Sequence, residues 1–177
     1  MWALVRQRGT ESVSVSFEDQ PVRRVVHVPP GEGPSRWAFG DKYTVKSGAH
    51  NTGGHFFMME ALVPPGGGPP PHIHHHEEEA FYVLEGKVDL FAGTERVGLE
   101  SGSYVHVPRG SVHNFKNMSD EPSRLLIMFL PGGKDRFFLE AGISADNGAP
   151  PPPPGQYELD VERALRVAAE FGDEYLS

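Results

Sequence analysis

Runs of four to eight β-branched and aromatic residues recur between Val13 and Pro131, each ended by a glycine, proline, asparagine or aspartate cluster. That punctuation confines the chain to short strands, because Pro removes a backbone donor and Gly supplies the turn conformations between strands. The runs fall at 13–17, 25–28, 41–46, 55–63, 72–76, 80–85, 87–92, 103–107, 113–117 and 123–130. So many short strands predict an all-β sandwich or barrel. Gly86, and Gly93 after Ala92, suit the turns between consecutive strands, so the hairpins are expected to be sequential and antiparallel. With 21 glycines and 17 prolines among 177 residues, long helices are not expected to dominate, and the length suits one domain with appendages. No repeat of 20–50 residues is visible.

The formal charge of −8 and the lack of any basic run beyond Arg23-Arg24 argue against nucleic acid as a partner. Cysteine is absent, which removes disulfides, thiolate nucleophiles and thiolate metal ligands together. The longest uncharged apolar run, 125–130, is far short of the roughly 20 residues of a membrane helix. Residues 1–16 carry no apolar block of the signal-peptide kind, so a soluble, cytoplasmic protein without membrane partners is expected.

Two proline-rich stretches read differently. Pro64-Pro65-Gly66-Gly67-Gly68-Pro69-Pro70-Pro71 lies between strands and delivers the histidines that follow. The prolines at 150–154 suit a semi-rigid spacer. Beyond them Val161, Ala164, Leu165 and Ala168 recur at helical spacing, with Asp160 as candidate N-cap and Gly172 as candidate C′ residue. The expected organisation is an N-terminal arm with strands at 1–38, a barrel at 39–145, and a linker with a C-terminal helix at 146–177.

The segment His72-Ile73-His74-His75-His76-Glu77-Glu78-Glu79 holds four of the nine histidines beside three carboxylates. On a strand His72 and His74 share a face, and imidazoles so spaced can share one ion. A solvated polar loop is the other reading of the run. Strict alternation from His72 would pass through His76 and Glu78 rather than Glu79. His75, His76, Glu77 and Glu78 are expected at the rim or in solvent, and His50 and His55 at the surface.

A second segment, Gly102-Ser103-Tyr104-Val105-His106-Val107-Pro108-Arg109-Gly110-Ser111-Val112-His113-Asn114-Phe115-Lys116-Asn117, follows some thirty residues on. Together the two segments resemble the paired motifs of the cupin superfamily. Gly66, His72, His74, Glu79 and Gly86 fill the first motif, G-x5-H-x-H-x3,4-E-x6-G. Gly102, Pro108, Gly110, His113 and Asn117 fill the second, G-x5-P-x-G-x2-H-x3-N. The stretches Pro70-Pro71-His72, Glu79-Ala80-Phe81-Tyr82-Val83-Leu84-Glu85-Gly86 and Phe137-Phe138-Leu139-Glu140-Ala141-Gly142, and the proline-rich tail, are similar to single-domain quercetin 2,3-dioxygenase-like cupins.

The resemblance implies a cupin double-stranded β-helix, a jelly-roll barrel, followed by a short C-terminal α-helix. It also implies one divalent transition metal (Fe, Mn, Ni, Co, Cu or Zn) held by His72, His74, Glu79 and His113. Three neutral imidazoles and one carboxylate leave an M²⁺ ion a net charge near +1, and an octahedral ion would keep two positions open. The expected activity is a dioxygenase acting on an enol, flavonol or other phenol, with Glu79 as ligand and general base and O₂ as co-substrate. An isomerase, lyase or polyketide-type cyclase using the metal as a Lewis acid is the alternative, and a non-enzymatic ligand-binding cupin a third. Strand parity sets Phe81 and Val83 with Glu79, and Phe115 with His113, facing the site. Phe56 and Met58, or their neighbours Phe57 and Met59, would form the opposite wall, and His106 is a candidate supporting donor. Single-domain cupins commonly pair, so a homodimer is expected, with the strands before Phe39 available for pairing.

Overall fold

The computed structural model describes residues 25–145, 148, 150–151 and 156–176, with side chains omitted at 156–161. The expected strand at 13–17 and most of the proline spacer lie outside these residues. The chain forms β1 (Ser35–Ala38), β2 (Asp41–Ser47), α1 (Ala49–Thr52), β3 (Phe57–Val63), β4 (His72–His74), β5 (Glu78–Glu85) and β6 (Lys87–Ala92). It continues through β7 (Glu95–Glu100), β8 (Tyr104–Val107), β9 (His113–Lys116), β10 (Ser123–Leu130), α2 (Asp135–Ala141) and β11 (Ile143–Ser144). Helix α3 (Gln156–Ala168), a 3-10 turn (Ala169–Phe171) and β12 (Asp173–Tyr175) complete it.

Seven strands form one antiparallel sheet in the order β11-β1-β2-β3-β10-β5-β8, and five form the other in the order β12-β4-β9-β6-β7. The inner faces meet across one core. Alternation sets which residues enter it: Phe57, Met59, Ala61 and Val63 of β3, and Leu125, Ile127 and Phe129 of β10, are almost wholly buried. Phe57 and Phe129 stack across neighbouring strands with ring centres 5.5 Å apart and planes 11° from parallel.

The sequential-hairpin expectation needs correction. β1–β2, β2–β3 and β6–β7 pair as chain neighbours, but β10 lies between β3 and β5, and β4 pairs with β9 and β12. Gly86 accordingly sits where the chain leaves one sheet for the other, since β5 and β6 do not pair. Both strands carry alternating apolar faces, and crossing over lets each turn its face inward. Asn117, which closes the second motif, fixes the next loop: its amide donates to Val63 O and Glu121 O, and its Oδ1 accepts from Ser119 N and Oγ.

Gly86 has φ 77°, and a Cβ there would lie 2.5 Å from Ser123 Oγ and 3.1 Å from Pro122 O. That hydroxyl accepts from Lys87 N and donates to Lys87 O, so it cannot yield without breaking the junction. Gly86→Ala is expected to cost about 2–3 kcal/mol, from left-handed strain plus lost hydrogen bonds. Urea unfolding measures it; a loss below about 0.5 kcal/mol, the usual scale of an unconstrained surface change, would contradict this account.

Other expectations shift. Residues 25–28 form no strand, whereas β1, β7, β11, β12, α1 and α2 were not foreseen. Helix α3 begins at Gln156, so Asp160 lies inside it and not at its N-cap. Ala164 and Ala168 are buried, while Leu165 stays exposed. Gly172 takes the left-handed conformation, with φ 72°, after the 3-10 turn. A Cβ there would meet the His76 ring at 2.5 Å. The chain therefore passes close against the first histidine segment as it enters β12. No helix among the described residues is long and apolar enough to cross a membrane.

Candidate metal centre

β4 ends at His74 and β5 starts at Glu78, and the intervening residues break the alternation that would have turned Glu79 outward. His72 and His74 therefore face the barrel from β4, Glu79 from β5 and His113 from β9, and all four are buried. One donor atom from each lies within 4.8 Å of the others. Nε2 of His72 is 3.1 Å from Nε2 of His74, while Glu79 Oε2 is 2.7 Å from His113 Nε2 and 3.3 Å from His74 Nε2.

The opposite ring nitrogens show what these contacts mean. His72 Nδ1 lies 2.9 Å from Pro70 O, and His113 Nδ1 lies 3.0 Å from Ser111 O. A carbonyl only accepts, so both protons sit on Nδ1. His74 Nδ1 lies 2.6 Å from Asp173 Oδ1, in the same relation to a carboxylate. Nε2 of His72 and of His113 then carries a lone pair, as does that of His74 whenever the ring is neutral, and these converge with the Glu79 carboxylate on one small volume. Such a cluster holds together only around positive charge. Nitrogen and oxygen donors of this kind suit a divalent transition metal, and the supporting bonds at Nδ1 are those that orient ligating imidazoles.

Titration behaviour points the same way. Burial, reinforced by the two neighbouring histidines, lowers His72 to about 3, so it is a neutral donor. Burial also pushes His74 down, but the Asp173 and Glu79 carboxylates outweigh it and raise the ring to about 9. Burial disfavours the Glu79 carboxylate, yet hydrogen bonds with His113 and His74 hold it far below the ordinary range. Positive charge among these groups is thus favoured at neutral pH.

Phe115 lies beside the donors, together with Met59, Phe129, Phe138, Phe39 and Tyr175, in an apolar wall. This wall leaves about 20 Å³ for the centre of a water-sized molecule, room for about one small molecule. Phe81 packs edge-on against Phe115 and lies 6.4 Å from the His113 ring, while Val83 is buried one step further from Glu79 along β5. Phe56 and Met58 do not face the donors. Parity of β3 turns Phe57 and Met59 inward and sends Phe56 and Met58 to the outer side, near Val26 and Lys46. His106 is corrected too: β8 turns it outward, where its exposed ring bonds Glu78 at 2.9 Å. His75, His76, His50 and His55 are exposed, but Glu77 is buried, with Oε2 3.7 Å from Lys134 Nζ.

Residues not anticipated from sequence complete the surroundings. Lys134, wholly buried just before α2, contacts Asp173, and Tyr175 stacks on His72 with ring centres 5.2 Å apart. The alternation Asp173-Glu174-Tyr175 after Gly172 is a strand signal, but three residues are too few to stand out from a helix end. Asp41 and Tyr43 lie at the far side of the wall: Tyr43, which lines it, donates to Asp41 Oδ2 at 3.1 Å.

Burial raises the Asp41 carboxyl from 3.8 to about 8. The folded chain therefore keeps a proton that the unfolded chain has released across that interval, so stability falls as pH rises from about 4 to about 8. Asp41→Asn is expected to flatten this slope. Thermal midpoints measured across the interval check it, and equal slopes for the two proteins would contradict it.

The cupin-domain family model matches residues 59–129, a span that contains all four donors. Quercetin 2,3-dioxygenase of Bacillus subtilis (strain 168) is 28% identical over 140 residues, covering 78% of this chain and 41% of that protein. An uncharacterized protein of Aquifex aeolicus (strain VF5) is 40% identical over 62 residues, covering 34% of this chain and 50% of that one. The chain thus spans half or less of either curated relative. Among solved structures, the polyketide cyclase RemF of Streptomyces resistomycificus matches with a TM-score of 0.54 at 23% identity, covering 60% of this chain and 80% of that one. That likeness shows the fold.

Proposed function

This chain belongs to the cupin superfamily, and from that premise we propose a metal-dependent dioxygenase acting on a small enol, flavonol or other phenol. His72, His74, Glu79 and His113 would hold the ion, and their convergence with Nδ1 protons already committed outward is the observation that carries the reading. The similarity to a quercetin 2,3-dioxygenase supports the choice of reaction. When bound, a divalent transition metal supplies Lewis acidity and redox capacity at this point.

The chain's own residues would do the rest. Glu79 is ionised and buried, so it would accept the proton of a substrate hydroxyl. Enols and phenols give up a proton far more readily than aliphatic alcohols, which suits so weak a base. The phenylalanine wall would exclude water and stack on a flat ring. A flavonol needs far more than the present 20 Å³, so part of the wall would have to move. Phe39 and Tyr175, stacked with centres 5.3 Å apart, are its only half-buried rings among the described residues and form its outer edge.

Metal-free protein loaded separately with Fe²⁺, Mn²⁺, Co²⁺ and Ni²⁺ is assayed for O₂ uptake with a flavonol, a catechol and an enediol. Uptake with at least one pairing, lost in Glu79→Gln, is the expected result. No uptake with any pairing overturns the proposal, and so does turnover that proceeds without oxygen.

A further inference from the structure

The strand that follows Gly172 reaches directly behind the donor cluster. β12 pairs with β4 in a register that sets Asp173 opposite His74 and Tyr175 opposite His72, so the two strands share their inward faces. His75 N donates to Gly172 O and Leu176 N to Pro71 O, which brackets the pairing at both ends. Asp173 Oδ1 receives two donors, His74 Nδ1–H at 2.6 Å and the Lys134 ammonium. All three side chains are almost fully buried.

Lys134 Nζ also lies 3.1 Å from His74 Nδ1 itself. An ammonium can only donate, so if it bonded that nitrogen the imidazole proton would be forced onto Nε2. The ring would then turn an N–H, not a lone pair, towards His72 and Glu79, and His74 would cease to be a ligand. Asp173 prevents this by accepting from both groups at once. Glu77, 3.7 Å from the same ammonium, draws it from the other side.

We propose that Asp173 is a positioning residue of the centre: it pins the His74 proton on Nδ1 against the competing Lys134, leaving Nε2 free to bind metal. The inference rests on reading the four donors as a metal centre, but its tautomer consequence holds in the metal-free chain as well, once the ring is neutral. Asp173 therefore acts through His74 and touches neither ion nor substrate. Removing it exposes His74 to Lys134, and removing Lys134 as well relieves that competition.

The test compares the full chain with Asp173→Ala and with Asp173→Ala/Lys134→Met, the second leaving no unpaired buried ammonium should the first fail to fold. Long-range ¹H–¹⁵N spectra of the imidazoles, taken on metal-free protein above about pH 9 so that His74 is neutral, read its tautomer, and chelator competition with Zn²⁺ reads affinity. Expected are an Nδ1–H tautomer in the parent and an Nε2–H tautomer in Asp173→Ala. Zn²⁺ affinity should fall about 10–100-fold in that variant, as on loss of a ligand's supporting bond, and recover in part in the double variant. Failure of the double variant to bind Zn²⁺ better than Asp173→Ala, where that folds, overturns the proposal. So does an Nε2–H tautomer at His74 in the parent, or an Nδ1–H tautomer and unchanged affinity in both variants. A parent that shows the Nδ1–H tautomer yet binds no Zn²⁺ defeats the metal reading instead, and leaves the role of Asp173 towards His74 standing.

Discussion

Glu79→Ala and His113→Ala are each expected to leave the purified protein with little metal and no metal-dependent activity. Glu79 is the only anion among the four donors, and its Oε2 lies 2.7 Å and 3.3 Å from two of the three imidazoles. Without it the ion would face neutral nitrogens alone inside an apolar barrel, and its charge would be poorly compensated. His113 contributes the only donor from β9, so its loss opens one side of the cluster. Loss of a ligand should exceed the roughly 10–100-fold cost of losing a supporting bond. Elemental analysis of protein purified without added metal, beside the parent, measures this. Parent-like metal content in both variants would refute the assignment of these residues.

Phe129→Ala is the substitution expected to cost the fold most. The ring is 1% exposed, stacks on Phe57, and stands edge-on to His74 with centres 5.3 Å apart. Removing a buried phenylalanine costs about 3–5 kcal/mol, which for a chain of this size lowers the thermal midpoint by roughly 6–20 °C. The cavity would also border the His74 ring, so metal affinity should weaken together with stability. Phe129→Leu, which refills most of the space, should recover much of both. A midpoint lowered by less than about 3 °C in Phe129→Ala, below one kcal/mol at this size, would show that the core closes over the gap.

The barrel was legible because its strands are long enough to alternate. Ser123–Leu130 and Lys87–Ala92 appear with the boundaries that their apolar rhythm suggests. β7, Glu95–Glu100, was not, because its side chains are nearly all exposed and only Leu99 turns inward. The cross-sheet route was hidden for another reason: Gly86 permits a turn of either kind, and local sequence does not say whether the next strand returns to its neighbour or crosses. His72 and His74 stood out by chemistry and spacing, Glu79 and His113 through the resemblance to the cupin motifs, and the structure brings the four together. Phe56 and Met58 were misplaced by one residue, an error that inverts a whole strand face. Lys134 and Asp173 carry no signal of their own, since a lone lysine after two glycines and an aspartate after a helix ordinarily read as solvated. Only the pairing of β12 with β4 buries them together.

That pairing joins positions 99 residues apart, His74 to Asp173. Closing so long a loop costs chain entropy that local pairings do not, so this contact is expected to follow them. β4 and β9 can therefore be in place while His74 still lacks its partner from β12. Tight metal uptake would then follow formation of the β4–β9 pairing, and its rate during refolding would report on the docking of β12.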